Sequence, residues 1–187
     1  LRNPVRENAK ETFAYFRDQG VTIKVISGDN PVTVAAAARE AGIEGADKYV
    51  DASTLTTEAE VAAACETYNV FGRVKPNQKK QLIQALQSKK HTVAMTGDGV
   101  NDVLALKEAD CSVAMASGSD VAAQISDLVL MNSDFSSMPS VVAEGRRVIN
   151  NIERAASLYL VKNIFSLILA VISITAAFSY PLTPSQL

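Results

Sequence analysis

The sequence predicts an α/β fold, with a parallel sheet that carries helices on both faces, followed by one long helix. Short apolar runs typical of buried strands alternate with helical patterns along residues 1–138. Polar loops rich in glycine follow these runs, as in open α/β sheets that bind ligands at the carboxyl ends of their strands. Residues 158–180 are then almost wholly apolar, which predicts a membrane-spanning segment.

The first part of the chain predicts two helices with a strand between them. Asn3 is a typical helix cap, and Gly20 is a typical residue to end the helix that follows. Residues 21–26 are rich in β-branched side chains and predict a strand. Pro31 opens an alanine-rich helix that ends at Gly42.

The next part repeats the alternation. Thr57 and Glu60 form a capping-box pattern ahead of another helix, and residues 70–72 predict a short strand. Residues 73–79 lead into a helix with one apolar face, after which residues 91–95 predict a buried strand. Two further strands with a helix between them complete the predicted sheet: residues 111–115 and 128–131.

The last part predicts a stalk and then a membrane helix. Residues 139–157 carry several arginines, and residues 158–180 are long and apolar enough to cross the hydrocarbon layer. Because arginines mark the cytoplasmic end of such a segment, residues 1–157 are predicted to be cytoplasmic and 181–187 to form an extracytoplasmic loop. A buried core helix is the alternative, but a domain of this size has little room to bury so long a stretch.

One loop, residues 96–102, carries the chemistry around which the chain is organised. Asp98 and Asp102 lie about one helical turn apart and can converge on one ligand. One or two carboxylates beside a substrate phosphate suit Mg²⁺, and the start of a helix favours phosphate. Ser27 offers a hydroxyl after a strand, and Lys79 offers a mobile positive charge near a helix start. Hydroxyl, ammonium and Mg²⁺ together are what a transferring phosphoryl group needs, although Ser27 alone is more typical of a turn residue and Lys79 alone of a solvated charge.

These stretches resemble the motifs of the haloacid dehalogenase superfamily, and within it those of the P-type cation-transporting ATPases. Residues 27–29 resemble its second motif, with Ser in place of the usual Thr, and residues 73–79 resemble its lysine motif. Residues 96–102 match its metal motif. Residues 145–152 and the apolar helix resemble the stalk and fifth membrane helix of these pumps, and residues 181–187 resemble the loop that follows.

The resemblance implies a Rossmann-like sheet and a pump that binds ATP and Mg²⁺ and forms an aspartyl phosphate. Asp98 would bind Mg²⁺, and Asp102 would be the second acidic residue of that site and hold its geometry. Lys79 and Ser27 would stabilise the charge on the aspartyl phosphate. Contacts to nucleotide or phosphate would come from Ser27, Gly28, Asp29, Arg73, Lys79 and Asn101.

The family's nucleophilic aspartate lies in an Asp-Lys-Thr-Gly motif, which these residues do not contain. The resemblance puts that motif and a nucleotide-binding domain upstream, so residues 1–138 correspond to the C-terminal portion of a phosphorylation domain. Alone, the chain is expected to be inactive, with the actuator and nucleotide-binding parts of a multi-pass parent as its partners. The net charge of −2 argues against a nucleic-acid partner.

Two other interpretations remain. A truncated soluble phosphatase of the same superfamily explains the three motifs but not the membrane-length helix. A non-catalytic module is not favoured, because the metal and lysine motifs are intact.

Lys162, Asn163 and Ser166 are the candidates for an ion path. The lack of an acidic side chain at 163–166 argues against calcium, because the calcium pumps of this family carry one in the fifth membrane helix.

Overall fold

The computed structural model describes residues 5–175. The chain divides into two compact units, Leu1–Pro139 and Ser140–Leu187. The predicted helix cap at Asn3 and the predicted loop at 181–187 lie outside the described residues, as do residues 176–180 of the predicted membrane segment.

The first unit begins with a parallel sheet of three strands in the order β1-β3-β2. The strands are β1 (Val25–Ile26), β2 (Tyr49–Asp51) and β3 (Val70–Gly72). Three helices alternate with them along the chain: α1 (Ala9–Asp18), α2 (Pro31–Glu40) and α3 (Glu58–Thr67). Val70 and Phe71 of β3 are fully buried in different clusters, the first beside α2 and the second beside α3. Successive side chains of a strand point to opposite faces, so helices cover both faces of this sheet.

A second parallel sheet follows in the order β4-β5-β6. Its strands are β4 (Ala94–Gly97), β5 (Cys111–Met115) and β6 (Leu128–Leu130). Helix α4 (Pro76–Ser88) precedes it, and α5 (Val103–Glu108) and α6 (Asp120–Ile125) connect its strands. Helix α4 packs against both sheets, because its Leu82 lies in the cluster around Phe71 while its Ile83 lies in the cluster around Met95.

The prediction of parallel strands alternating with helices is confirmed, but several details of it are wrong. The strands form two sheets instead of one, and β1 and β4 each pair with one strand only among the described residues. Strand β2 was not predicted, since three half-exposed residues give no periodicity. Helix α1 begins at Ala9, several residues after the predicted start, because Ala9 N–H bonds the Arg6 carbonyl in a preceding turn. Strand β1 is shorter than predicted, because only Val25 and Ile26 pair with β3.

The second unit consists, in its described part, of most of helix α7 (Met138–Thr175). This helix has 38 residues, and at the usual rise it is about 57 Å long, well beyond the roughly 30 Å of a hydrocarbon layer. The segment Phe135–Thr175 contains a window of mean hydropathy 2.0. The predicted membrane-length helix is therefore confirmed by length and composition, and its division into stalk and membrane segments remains a prediction.

Candidate active site

The predicted site residues lie at the carboxyl ends of parallel strands. Ser27 follows β1, Arg73 follows β3 and Asp98 follows β4. Lys79 lies in the first turns of α4, and Asp102 ends a short 3₁₀ turn, Val100–Asp102, that leads into α5. Ligand sites of open α/β sheets occur at this end of the strands, because the loops there are free to carry polar groups.

Lys79 and Asp102 form an ion pair that is almost buried. Lys79 Nζ lies 2.6 Å from Asp102 Oδ1, and the two side chains are only 13% and 10% exposed. Their residues are 23 positions apart in the chain, so the pair ties α4 to the loop after β4. Separating the two groups would leave a buried charge without a partner, which is strongly unfavourable. Both side chains are therefore held in this pairing.

The second oxygen of Asp102 holds the loop itself. Its Oδ2 accepts hydrogen bonds from Gly99 N–H at 3.2 Å and from Asp98 N–H at 3.4 Å. Gly97 packs directly on Asp102, since a Cβ added there would lie 2.6 Å from the Asp102 Cβ. Both oxygens of Asp102 are therefore engaged with protein groups, and this carboxylate fixes Lys79 and the loop.

Asp98, by contrast, has a free carboxylate. Its side chain is exposed and has no hydrogen bond or ion pair within the described part of the chain. Its backbone is held firmly, because Asp98 carbonyl accepts from Ser119 N–H at 2.7 Å and a Cβ added at Gly118 would overlap that carbonyl. Asp98 also lines a cavity of about 320 Å³. None of Ser27, Arg73, Lys79 and Asp102 lines this cavity. A free carboxylate on a backbone that is held in place suits Mg²⁺, which keeps several waters and takes one or two carboxylates. Sequence reasoning missed the contributions of Gly118 and Ser119 to the position of Asp98.

Backbone hydrogen bonds hold Ser27 against β3 and the loop that follows β3. Its N–H donates to Phe71 carbonyl at 2.9 Å, and its own carbonyl accepts from Val74 N–H at 3.0 Å. Its Oγ accepts from Asp29 N–H at 3.2 Å, which leaves the hydroxyl proton available for an acceptor.

Arg73 adopts an uncommon backbone conformation, with φ of 51°. Its N–H donates to Asp29 carbonyl at 2.8 Å, so the loops after β1 and β3 are joined. Its guanidinium pairs with Asp51 at 2.6 Å, a partner that sequence reasoning missed. Gly28, Asp29 and Asn101 are exposed, and no side-chain hydrogen bond joins Asn101 to the other predicted residues in the described structure.

No group of three or more His, Cys, Asp or Glu side chains that could hold a metal is found among residues 5–175. A magnesium site that uses Asp98 does not require such a group, because one or two carboxylates with water and phosphate oxygens suit this ion, and the site stays a prediction. The candidate ion-path residues Lys162, Asn163 and Ser166 all lie in α7. Lys162 and Ser166 are four residues apart and so share a face of the helix.

Comparison with known families gives a match for residues 1–110, to haloacid dehalogenase-like hydrolases. The chain belongs to this family. The resemblance predicted from the three motifs is thereby confirmed at the level of the superfamily, and the parallel α/β fold agrees with it.

Similarity to cation-transporting ATPases extends over most of this haloacid dehalogenase-like chain. It is 54% identical to the probable cation-transporting ATPase exp7 of Streptococcus pneumoniae over 95% of the chain. It is 52% identical to the calcium-transporting ATPase CtpE of Mycobacterium bovis over 92% of the chain. The chain spans only 23% and 22% of the lengths of these relatives. The predicted resemblance to cation-transporting ATPases is confirmed by these identities.

Two solved structures resemble the fold. The catalytic domain of the CPx-ATPase CopB-B, described for its conformational changes upon nucleotide binding, matches 73% of the chain with a TM-score of 0.57, 26% identity and 45% of its own length. A zinc-transporting PIB-type ATPase in the E2.Pi state matches 96% of the chain with a TM-score of 0.72, over 25% of its own length. At 24% identity, the second match shows the fold alone.

Proposed function

We propose that this chain is the phosphate-binding part of an ATP-driven cation pump that phosphorylates one of its own aspartates. The observation that carries the proposal is the nearly buried Lys79–Asp102 pair next to the free carboxylate of Asp98. A fixed ammonium group and an oxygen ligand for Mg²⁺ at the end of a parallel strand are suited to phosphoryl transfer. The ATPase names of the relatives support the same activity.

The reaction has two steps. An aspartate oxygen attacks the γ-phosphorus of ATP, the bond to the bridging oxygen breaks, and ADP leaves with that oxygen. Water then attacks the aspartyl phosphate and releases inorganic phosphate. In both steps Lys79 Nζ and the Ser27 hydroxyl donate hydrogen bonds to phosphoryl oxygens, while Asp102 orients Lys79. Asp98 would hold Mg²⁺, and the ion would supply positive charge that offsets the negative charge of the phosphoryl group.

The nucleophile comes from another part of a longer protein in this proposal. Strands β1 and β4 are end strands of their sheets in the described structure, and they lead into the loops of Ser27 and Asp98. A strand added in parallel to such an edge carries its own carboxyl end to the same side as these loops. An aspartate at the end of that strand would lie near the phosphate. The isolated chain, without it, is expected not to hydrolyse ATP.

Helix α7 supplies the coupling to the membrane. Large apolar side chains along it are exposed, among them Leu160, Val161, Phe165 and Leu167. Exposed apolar surface of this length is suited to lipid, and it favours the pump over a truncated soluble phosphatase. Residues 1–157 then lie on the cytoplasmic side. The name of the mycobacterial relative makes calcium the first cation to test, so the argument from residues 163–166 does not exclude it.

The full-length protein in membranes provides the test. Incubation with ATP labelled on its γ-phosphate and Mg²⁺ is expected to give acid-stable protein label that hydroxylamine removes, as an acyl phosphate requires. Calcium is expected to stimulate ATP hydrolysis if it is the transported ion. Absence of hydroxylamine-sensitive label in active membranes would overturn the proposal. Activity that is released in soluble form, without detergent, would favour the phosphatase instead.

A further inference from the structure

Asp51 lies outside the motifs that carry the proposed function, at the end of β2. Its side chain is 23% exposed, and its Oδ2 lies 2.6 Å from Nη1 of Arg73. Its Oδ1 accepts hydrogen bonds from Ser53 N–H at 3.0 Å and from Ser53 Oγ at 2.6 Å. The hydrogen bond of the Ser53 hydroxyl is the main reason that the pKa of Asp51 lies below its usual value, and Arg73 lowers it further. The carboxylate is therefore ionised at neutral pH and held from two sides.

Arg73 is equally constrained, through its backbone. The register pairs Asp51 with Gly72, so β2 delivers the carboxylate beside the residue that precedes Arg73. The φ of 51° lies in the left-handed region, which is unfavourable for a residue with a side chain. Such conformations persist where the surrounding structure enforces them, and they are enriched at functional sites. Here the bonds to Asp29 carbonyl and Asp51 enforce it.

We propose that Asp51 is a positioning residue, which holds the Arg73 guanidinium ready to bind the nucleotide. The inference rests on the proposed function, in which Arg73 contacts ATP. A guanidinium has five N–H donors in a planar fork, and the Arg73 side chain is 53% exposed, so donors remain for phosphate or ribose oxygens. A carboxylate beside the guanidinium reduces its net attraction for phosphate, so Asp51 acts by orientation. Nucleotide binding therefore depends on Asp51, whereas the chemistry at the phosphoryl group does not.

Steady-state kinetics of the full-length pump test this directly. Asp51→Asn is expected to raise the KM for ATP about fivefold with kcat nearly unchanged, because a charge-assisted bond that orients a binding group is weakened. Asp51→Glu, which keeps the charge, is expected to lie closer to the wild type. Asp47→Asn is the matched control, since Asp47 pairs with Arg39 at 3.3 Å but is 80% exposed. An unchanged KM in Asp51→Asn would overturn the inference.

Phosphorylation by inorganic phosphate separates positioning from a general structural role. The reverse of the hydrolysis step labels the same aspartate without any nucleotide, so it requires Lys79 and Ser27 but not Arg73. Asp51→Asn is expected to label normally with inorganic phosphate while its KM for ATP is raised. Parallel loss of both activities indicates a damaged fold and overturns the positioning role.

A double-mutant cycle identifies the residue through which Asp51 acts. If it acts only through Arg73, Asp51→Asn combined with Arg73→Gln has the same KM as Arg73→Gln alone. Additive increases in KM would overturn the inference. A wild-type protein that is labelled by neither ATP nor inorganic phosphate would instead overturn the proposed function, and this inference with it.

Discussion

Lys79 Nζ lies 2.6 Å from Asp102 Oδ1, while the adjacent Lys80 lies 3.3 Å from Glu108 Oε2. The two lysines are neighbours on α4, but the first pair is almost buried and the second is 41% and 28% exposed. Exposed ion pairs contribute little because water screens them, whereas a nearly buried pair fixes the position of both groups. The helix thus presents one lysine to the site and leaves the next at the surface.

This contrast predicts that Asp102→Asn and Glu108→Gln have unequal effects on phosphoenzyme formation. In the full-length pump, Asp102→Asn is expected to lower phosphoenzyme formation severely, because Lys79 loses the group that orients it and the loop loses its anchor. Lys79→Ala is expected to cost about 3–4 kcal/mol of transition-state stabilisation, as for the loss of one preorganised donor. Labelling with radioactive ATP measures both. Glu108→Gln, the matched control, should label normally, and equal losses in both acidic variants would contradict this account.

Asp98→Asn is expected to abolish phosphoenzyme formation without unfolding the protein. Its carboxylate is exposed and unpaired within the described residues, so the fold does not depend on its charge. A neutral amide is a weaker ligand for Mg²⁺, so less charge on the phosphoryl group is neutralised. Labelling and thermal unfolding should be measured together, with Asp18→Asn of α1 as the control. Near-normal labelling would remove this loop from the mechanism.

Local features of this chain could be predicted from the sequence, whereas contacts between distant segments could not. The motifs singled out Asp98, Asp102 and Lys79, whose roles stay predictions. The capping box of Thr57 and Glu60 forms as predicted, with hydrogen bonds of 3.0 Å and 3.2 Å. These features depend on short stretches of sequence or on a family motif. The partner of Arg73 could not be predicted, because Asp51 lies 22 residues away and the pair depends on the register of β2 against β3. Pairing between distant segments has no local signal.

Alanine substitutions at Gly118 and Gly145 should differ in their effect on the Mg²⁺ dependence of phosphoenzyme formation. A Cβ at Gly118 would overlap the Asp98 carbonyl, so Gly118→Ala must displace the loop that carries Asp98. We expect the apparent affinity for Mg²⁺ to fall by about tenfold or more, as when groups that support a metal ligand are lost. A Cβ added at Gly145 in α7 would meet no atom of another segment of the described chain within 4 Å, so Gly145→Ala should leave Mg²⁺ dependence unchanged. Titration of phosphoenzyme with Mg²⁺ compares the two, and an unaltered titration in Gly118→Ala would show that Asp98 does not need this support.

Asp127 predicts a pH dependence of stability. Hydrogen bonds from Ser112 N–H and Oγ, both 2.8 Å long, hold the pKa of Asp127 below its usual value. A carboxylate with a lowered pKa stabilises the fold above its unfolded pKa, and that contribution is lost as the pH falls through the folded pKa. Asp127→Asn should therefore lower the unfolding temperature at pH 7, and the difference from wild type should shrink in acid. A difference that is the same at both pH values would show that ionisation of Asp127 is not its cause.

Lys162 is the one predicted site residue that carries a charge within the apolar part of α7. A lysine at the centre of a membrane helix costs about 2.5–3.5 kcal/mol on insertion scales, so it is usually functional or reaches water. If Lys162 and Asn163 face the ion path, Lys162 acts as a built-in cation when the transported ion leaves. If Lys162 only extends to the cytoplasmic interface, Lys162→Arg keeps transport and Lys162→Met costs little. Transport and phosphorylation by the two variants separate these roles. An ion-path role predicts that both variants lose transport while phosphorylation persists, and normal transport by both would reduce Lys162 to an anchor.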